Sequence, residues 1–70
     1  MEPSKLIGKV VRIKGQRGRF TVHEIIEDPR RDPVVCCWGG TSGRERWRWF
    51  TTDRLGAVDR EATRRKQAMA

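Results

Sequence analysis

The sequence predicts an all-β chain, a small antiparallel sheet bent into a β-barrel, and three observations predict it. Apolar and polar residues alternate at period two on both sides of the glycine-bearing turn Gly15-Gln16-Arg17-Gly18. A second pair of strand-like runs flanks Gly39-Gly40-Thr41-Ser42-Gly43. The chain has 70 residues, room for one domain with a thin core, and so small a bent sheet removes its edges by closing on itself.

The first strand is expected from Ile7 to Lys14, with Val11 and Ile13 on one face and Arg12 and Lys14 on the other. Two glycines in the following turn supply the positive φ values of a tight hairpin loop. Arg19 to Ile26 forms the second strand, with Phe20 and Val22 inward. Arg19, Thr21 and His23 point outward, and a bulge near Glu24 returns Ile25 to the core. Glu27 to Pro33 is a loop, because two prolines and clustered charges do not continue a central strand. Val34 to Trp38 is a short apolar third strand, and Arg44 to Phe50 a fourth, in which Arg46 and Arg48 alternate with Trp47 and Trp49. Thr52 and Asp53 cap a short 3-10 turn through Leu55, ended by Gly56. Asp59 to Ala68 has helical composition, with Glu61 four residues before Arg65, but its apolar stripe is only Val58, Ala62 and Met69. So weak a stripe predicts a helical or frayed tail, poorly packed on the sheet. Residues 1–56 are thus the barrel, and 57–70 a basic C-terminal extension.

Core demand assigns Trp47 and Trp49 to the interior, since a chain with five aromatic residues has few other bulky fillers; were their shared face exposed instead, they could stack on bases while Arg44, Arg46 and Arg48 touch phosphates. Trp38, at a strand end beside the glycine loop, is the tryptophan expected to be partly exposed, with Arg46 or Arg48 over its ring. The adjacent Cys36 and Cys37 point to opposite faces of a strand and cannot staple separate elements, so they read as small apolar residues, one of them exposed. With the single His23 they lack the spacing of a zinc site. No cofactor or metal is expected.

Charge is the strongest functional signal. The net charge is +7, and Lys5, Lys9, Arg12, Lys14, Arg17 and Arg19 fall in a stretch with no acid. Strand periodicity sends these cations away from the core, onto a surface for an anionic partner. By contrast, Glu24, Glu27, Asp28 and Asp32 lie beside Arg30 and Arg31 and form local ion pairs of small value. The Gly39–Gly43 loop lacks the spacing of a phosphate-binding P-loop and precedes a strand. His23 has no neighbour in reach that completes a catalytic arrangement, and no enzymatic activity is expected. No apolar run nears the roughly 20 residues that span a bilayer, and MEPSKL lacks the apolar segment of a secretory signal. A cytoplasmic location is the expectation.

The stretch GKVVRIKGQRGRFTVHEI resembles the KOW-type opening of SH3-like barrels, with Gly8, Gly15, Gly18, Phe20, Val22 and Ile25 at the positions of that pattern. The resemblance implies an SH3-like, KOW-like or Tudor-like barrel, a fold whose members bind RNA, DNA or protein. A short, arginine-rich, stand-alone barrel is also similar to the small accessory proteins that phages of GC-rich bacteria encode. The resulting expectation is a non-enzymatic module that binds nucleic acid, DNA or RNA, at low specificity. The residues for it are Lys9, Arg12, Lys14, Arg17, Arg19, Trp38, Arg46 and Arg48, with tail cations adding attraction. The alternative is an adapter docking an acidic protein, including a phage protein that modulates a host factor; a subunit of a larger particle is a third possibility.

Overall fold

A computed structural model describes residues 3–69 of the chain. A 3-10 turn, Pro3–Leu6, leads into strands β1 (Val10–Ile13), β2 (Arg19–Ile26), β3 (Val34–Gly40) and β4 (Arg46–Thr51). A second 3-10 turn, Thr52–Arg54, is followed by β5 (Leu55–Val58) and by helix α1 (Arg60–Met69). The strands form one antiparallel sheet in the order β4-β3-β2-β1-β5. The edge strands β4 and β5 are not paired with each other, so the ladder does not close into the expected ring.

The first strand is shorter than its alternation suggests. Ile7 lies in a turn and is half exposed, while Leu6 packs against the core from the 3-10 turn. The hairpin itself forms as the glycines dictate, with Gly15 and Gly18 both at positive φ. Register shifts between Val22 and Glu24, which places the bulge where two consecutive outward residues, His23 and Glu24, are followed by a half-buried Ile25. Glycine is also needed where β3 crosses β2. A Cβ on Gly39 would lie 2.1 Å from the Arg19 carbonyl oxygen, and one on Gly18 would lie 2.1 Å from that of Gly40.

The fifth strand is not foreseen from the sequence, which ends the 3-10 turn at Gly56. Its residues Leu-Gly-Ala-Val become a strand by pairing with β1, Val11 opposite Val58 and Ile13 opposite Leu55. Gly56 permits the approach, since a Cβ there would meet the Arg12 carbonyl oxygen at 2.9 Å. β5 spans the position at which the sequence divides barrel from extension.

The core consists of Val11, Ile13, Phe20, Val22, Val35, Cys37 and Phe50, with the Phe20 and Phe50 rings edge to face at 5.4 Å. Both cysteines are buried, against the expectation that one is exposed: Cys37 is in the core, and Cys36 points to the opposite face, where it lies with Trp47 and Trp49. Burial pushes the Cys37 thiol up to about 11 and also raises that of Cys36.

Helix α1 is docked more firmly than its apolar stripe implies, because the attachment is polar. The Asp59 carboxylate accepts the Ala62 amide as an N-cap at 2.9 Å, and the Asp59 amide donates to the Val10 carbonyl at 2.8 Å. Buried Thr63 accepts the Val10 amide on its hydroxyl oxygen at 2.9 Å and donates to the Asp59 carbonyl at 2.7 Å. Lys66 adds a bond to the Thr21 hydroxyl at 2.9 Å. The Asp59 and Thr63 bonds satisfy the backbone amide and carbonyl of Val10 without an apolar face. Glu61 and Arg65 pair along the helix as their spacing predicts, and the side chain of Met69 lies outside the described residues.

Candidate anion-binding face

The face taken by each β4 side chain follows from Phe50. Adjacent strand residues point to opposite sides, so Phe50 and Trp49 cannot both enter the core. Phe50 enters, 3% exposed, and its register partner is buried Val35. This choice puts Arg46 and Arg48 on the core face and turns Trp47 and Trp49 outward, 53% and 54% exposed, which reverses their assignment to the interior. The core sheet face is narrow, and two further indoles on it would displace Phe20 and Phe50.

On the core side, Arg48 and Arg46 do not enter the apolar interior. They stand at its mouth, where Arg48 carries its guanidinium over the Phe50 ring at 5.2 Å and reaches the Gln16 side-chain oxygen at 3.5 Å. Arg54 covers the same ring at 5.2 Å and donates to the Lys14 carbonyl at 2.8 Å. The cation–π partner is therefore Phe50, whereas the sequence suggests Trp38.

This arrangement makes a pocket of about 370 Å³ between the first turn and the β3–β4 turn. Arg17 enters it from the first turn, Arg44, Arg46 and Arg48 from the other side, and Phe20 forms part of the wall. Its lining has no carboxylate, and none of the four guanidinium groups forms an ion pair with an acid among the described residues. Four cations so close repel one another, and an anion with several oxygens relieves that repulsion.

The other expected residues divide among three places. Lys14 is exposed in the turn next to the pocket. Arg12 and Arg19 lie on the outer sheet face and line a second hollow with Trp38. There Arg19 is committed to Asp59 at 2.6 Å, and that contact, after the Ala62 amide, helps hold the Asp59 carboxyl below its ordinary value. Lys9 is half-buried and faces a separate hollow beside Arg60 and Arg64. The acid-free stripe of the sequence is thus not one surface: one member is neutralised and the rest are spread around the sheet. Arg44 joins the cluster, and its period-two spacing with Arg46 and Arg48 was the available signal.

The outer face of β2, β3 and β4 carries an aromatic row. Trp38 and Trp47 are cross-strand partners with rings 5.2 Å apart at 66°, and His23 meets Trp47 at 4.7 Å and 68°. Trp49 stands two residues beyond Trp47, above Cys36. Trp38 is 38% exposed, less than either neighbour. Among the described residues, no three His, Cys, Asp or Glu side chains gather as a metal site, and no helix is long and apolar enough to cross a membrane. The chain matches no family model, no curated protein and no solved structure.

Proposed function

We propose that this chain is a non-enzymatic binding module that grips the phosphates of nucleic acid in the pocket between its two turns. One observation carries the reading: Arg17, Arg44, Arg46 and Arg48 converge on a single acid-free pocket, with Lys14 beside it. Arginine presents a planar fork of donors that matches phosphate oxygens, and multiple phosphate contacts give affinity with little sequence preference. Compared with the expectation from sequence, the grip moves from the whole first hairpin to its turn plus β4. The four meandering strands, the 3-10 turn and the fifth strand returning to the first support reading the sheet as an SH3-like barrel of the KOW or Tudor kind. A small phage accessory protein acting in the cytoplasm is compatible with this size and charge.

The test is a salt titration of binding to a short duplex and to a single strand. Five neutralised phosphates correspond to a slope of log K against log salt of about −4.5 on duplex, by counterion release. The triple variant Arg17→Gln, Arg44→Gln, Arg46→Gln reduces the slope by about 3. A slope near zero in the parent protein removes the reading.

A second reading, an adapter for an acidic protein, is favoured by the exposed Trp38, Trp47 and Trp49, an aromatic row of the kind that protein partners cover. Under that reading the isolated protein shows no salt-dependent binding to either nucleic acid.

A further inference from the structure

We infer that the tryptophan row on the outer sheet face is a base-stacking shelf, and that the nucleic acid taken by this protein is single-stranded. The inference rests on the proposed phosphate grip and goes beyond it, because the pocket arginines alone do not distinguish one strand from two.

Two features of the surface carry it. The first is continuity. Gly39, Gly40 and Thr41 line both the arginine pocket and the hollow that contains Trp38, so the two lie on either side of one glycine ridge. With no side chain on two of its three residues, the ridge lets a backbone pass from the phosphate grip to the indoles. Trp38 then leads across the sheet to its partner Trp47 and along β4 to Trp49.

The second is spacing. Trp47 and Trp49 are two residues apart on one strand, which sets their Cα atoms ~6.8 Å apart along it. Stacked bases on one strand of a duplex are separated by about 3.4 Å. Successive bases that each rest on one of these indoles must therefore be pulled apart to twice their duplex separation. A single strand reaches that conformation readily, whereas a paired duplex keeps its base faces against each other. The roughly half-exposed rings of Trp47 and Trp49 offer open surface for the purpose, and every base has a face that fits. Acids mark the margins of the shelf: Glu24 lines the hollow shared by Trp47 and Trp49, and Glu45 the one beside Trp38. They leave the arginine side of the ridge as the path for phosphates.

The experiment compares a dye-labelled oligothymidylate, an oligouridylate of the same length and a duplex with the same number of phosphates on one strand, at low salt. Anisotropy reports affinity and intrinsic fluorescence reports stacking. The expected result is at least ~10-fold tighter binding of the single strands than of the duplex, with tryptophan fluorescence quenched by the single strands only. Trp47→Ala with Trp49→Ala weakens single-strand binding by about 10-fold or more and leaves the weak duplex binding unchanged, while the Phe versions of both retain most of it. Far-ultraviolet circular dichroism verifies that the variants are folded. Comparison of the oligothymidylate and oligouridylate arms separates DNA from RNA. Equal binding of duplex and single strand overturns the inference and leaves the phosphate grip standing, as does a single-strand preference that survives loss of both indoles. Absence of salt-dependent binding to any of the three overturns the grip itself, and the shelf with it.

Discussion

Trp49 and Phe50 are neighbours in sequence and opposites in energetics. Phe50 is enclosed by Phe20 and Val35 and roofed by the guanidinium groups of Arg48 and Arg54, so Phe50→Ala removes one of two rings from a thin core. A loss of about 3–5 kcal/mol is expected, enough to unfold a chain of this size. Trp49→Ala removes a half-exposed ring and uncovers Cys36, and should cost about 1 kcal/mol, well below the loss of Phe50. Paired urea titrations of the two variants check this, and a large destabilisation by Trp49→Ala would return that indole to the core. Arg48 shows the same logic in reverse. Placed on the core face by its register, it is tolerated there because its guanidinium lies over the Phe50 ring and reaches the Gln16 side-chain oxygen at the mouth.

Helix α1 shows how a polar contact can replace an apolar stripe. Thr63 takes the place of a core side chain, but what it supplies is a hydrogen-bond bracket on Val10. Thr63→Val keeps the volume and strands the Val10 amide, at a cost of about 1–3 kcal/mol. Amide hydrogen exchange at Val10 should accelerate together with exchange in α1, whereas a purely apolar docking would leave it slow. Acid acts on the same joint through Asp59. Its carboxyl is held below the ordinary 3.8, first by the Ala62 amide and then by Arg19, so the folded form binds the proton less readily than the unfolded form. The contribution is therefore complete above the ordinary value and disappears as pH falls through the lower folded value. Asp59→Asn, which preserves the cap, should flatten that acid limb in a titration of the Ala62 amide shift.

Across the whole molecule, positive charge is unbalanced. A net charge of +7 sits on a small sheet, with four guanidinium groups around one pocket. Like charges so close oppose the folded state, and salt screens them. The melting temperature should accordingly rise between low salt and about 0.5 M sodium chloride, the reverse of the effect of the same salt on phosphate binding. The Arg17, Arg44, Arg46 triple variant should melt higher in low salt and lose most of this dependence. A parent protein whose melting temperature falls with added salt would mean that favourable ion pairs outweigh the repulsion. The open ladder adds a second property. β4 is an unpaired edge, and its basic residues Arg46 and Arg48, which line the arginine pocket, discourage pairing of that edge with another chain.

Local chemistry made several features readable from the residues alone. Paired glycines specify the first turn, alternation specifies β2 with Phe20 and Val22 inward, and Asp59 with the Glu61–Arg65 spacing specifies the start of α1. Each of these depends on residues a few positions apart, so the information is contained in the segment itself. Packing settled the remainder. Arg46-Trp47-Arg48-Trp49 has the same period whichever face turns inward, and it is the claim of Phe50 on the core, opposite Val35 on β3, that orients the segment. Leu55–Val58 is a strand because β1 has a free edge to offer. Arg17 meets Arg44, Arg46 and Arg48 because two turns distant in sequence come to the same end of the sheet. These outcomes turn on a competition for limited interior space and on partners far along the chain, and no local pattern encodes who wins it.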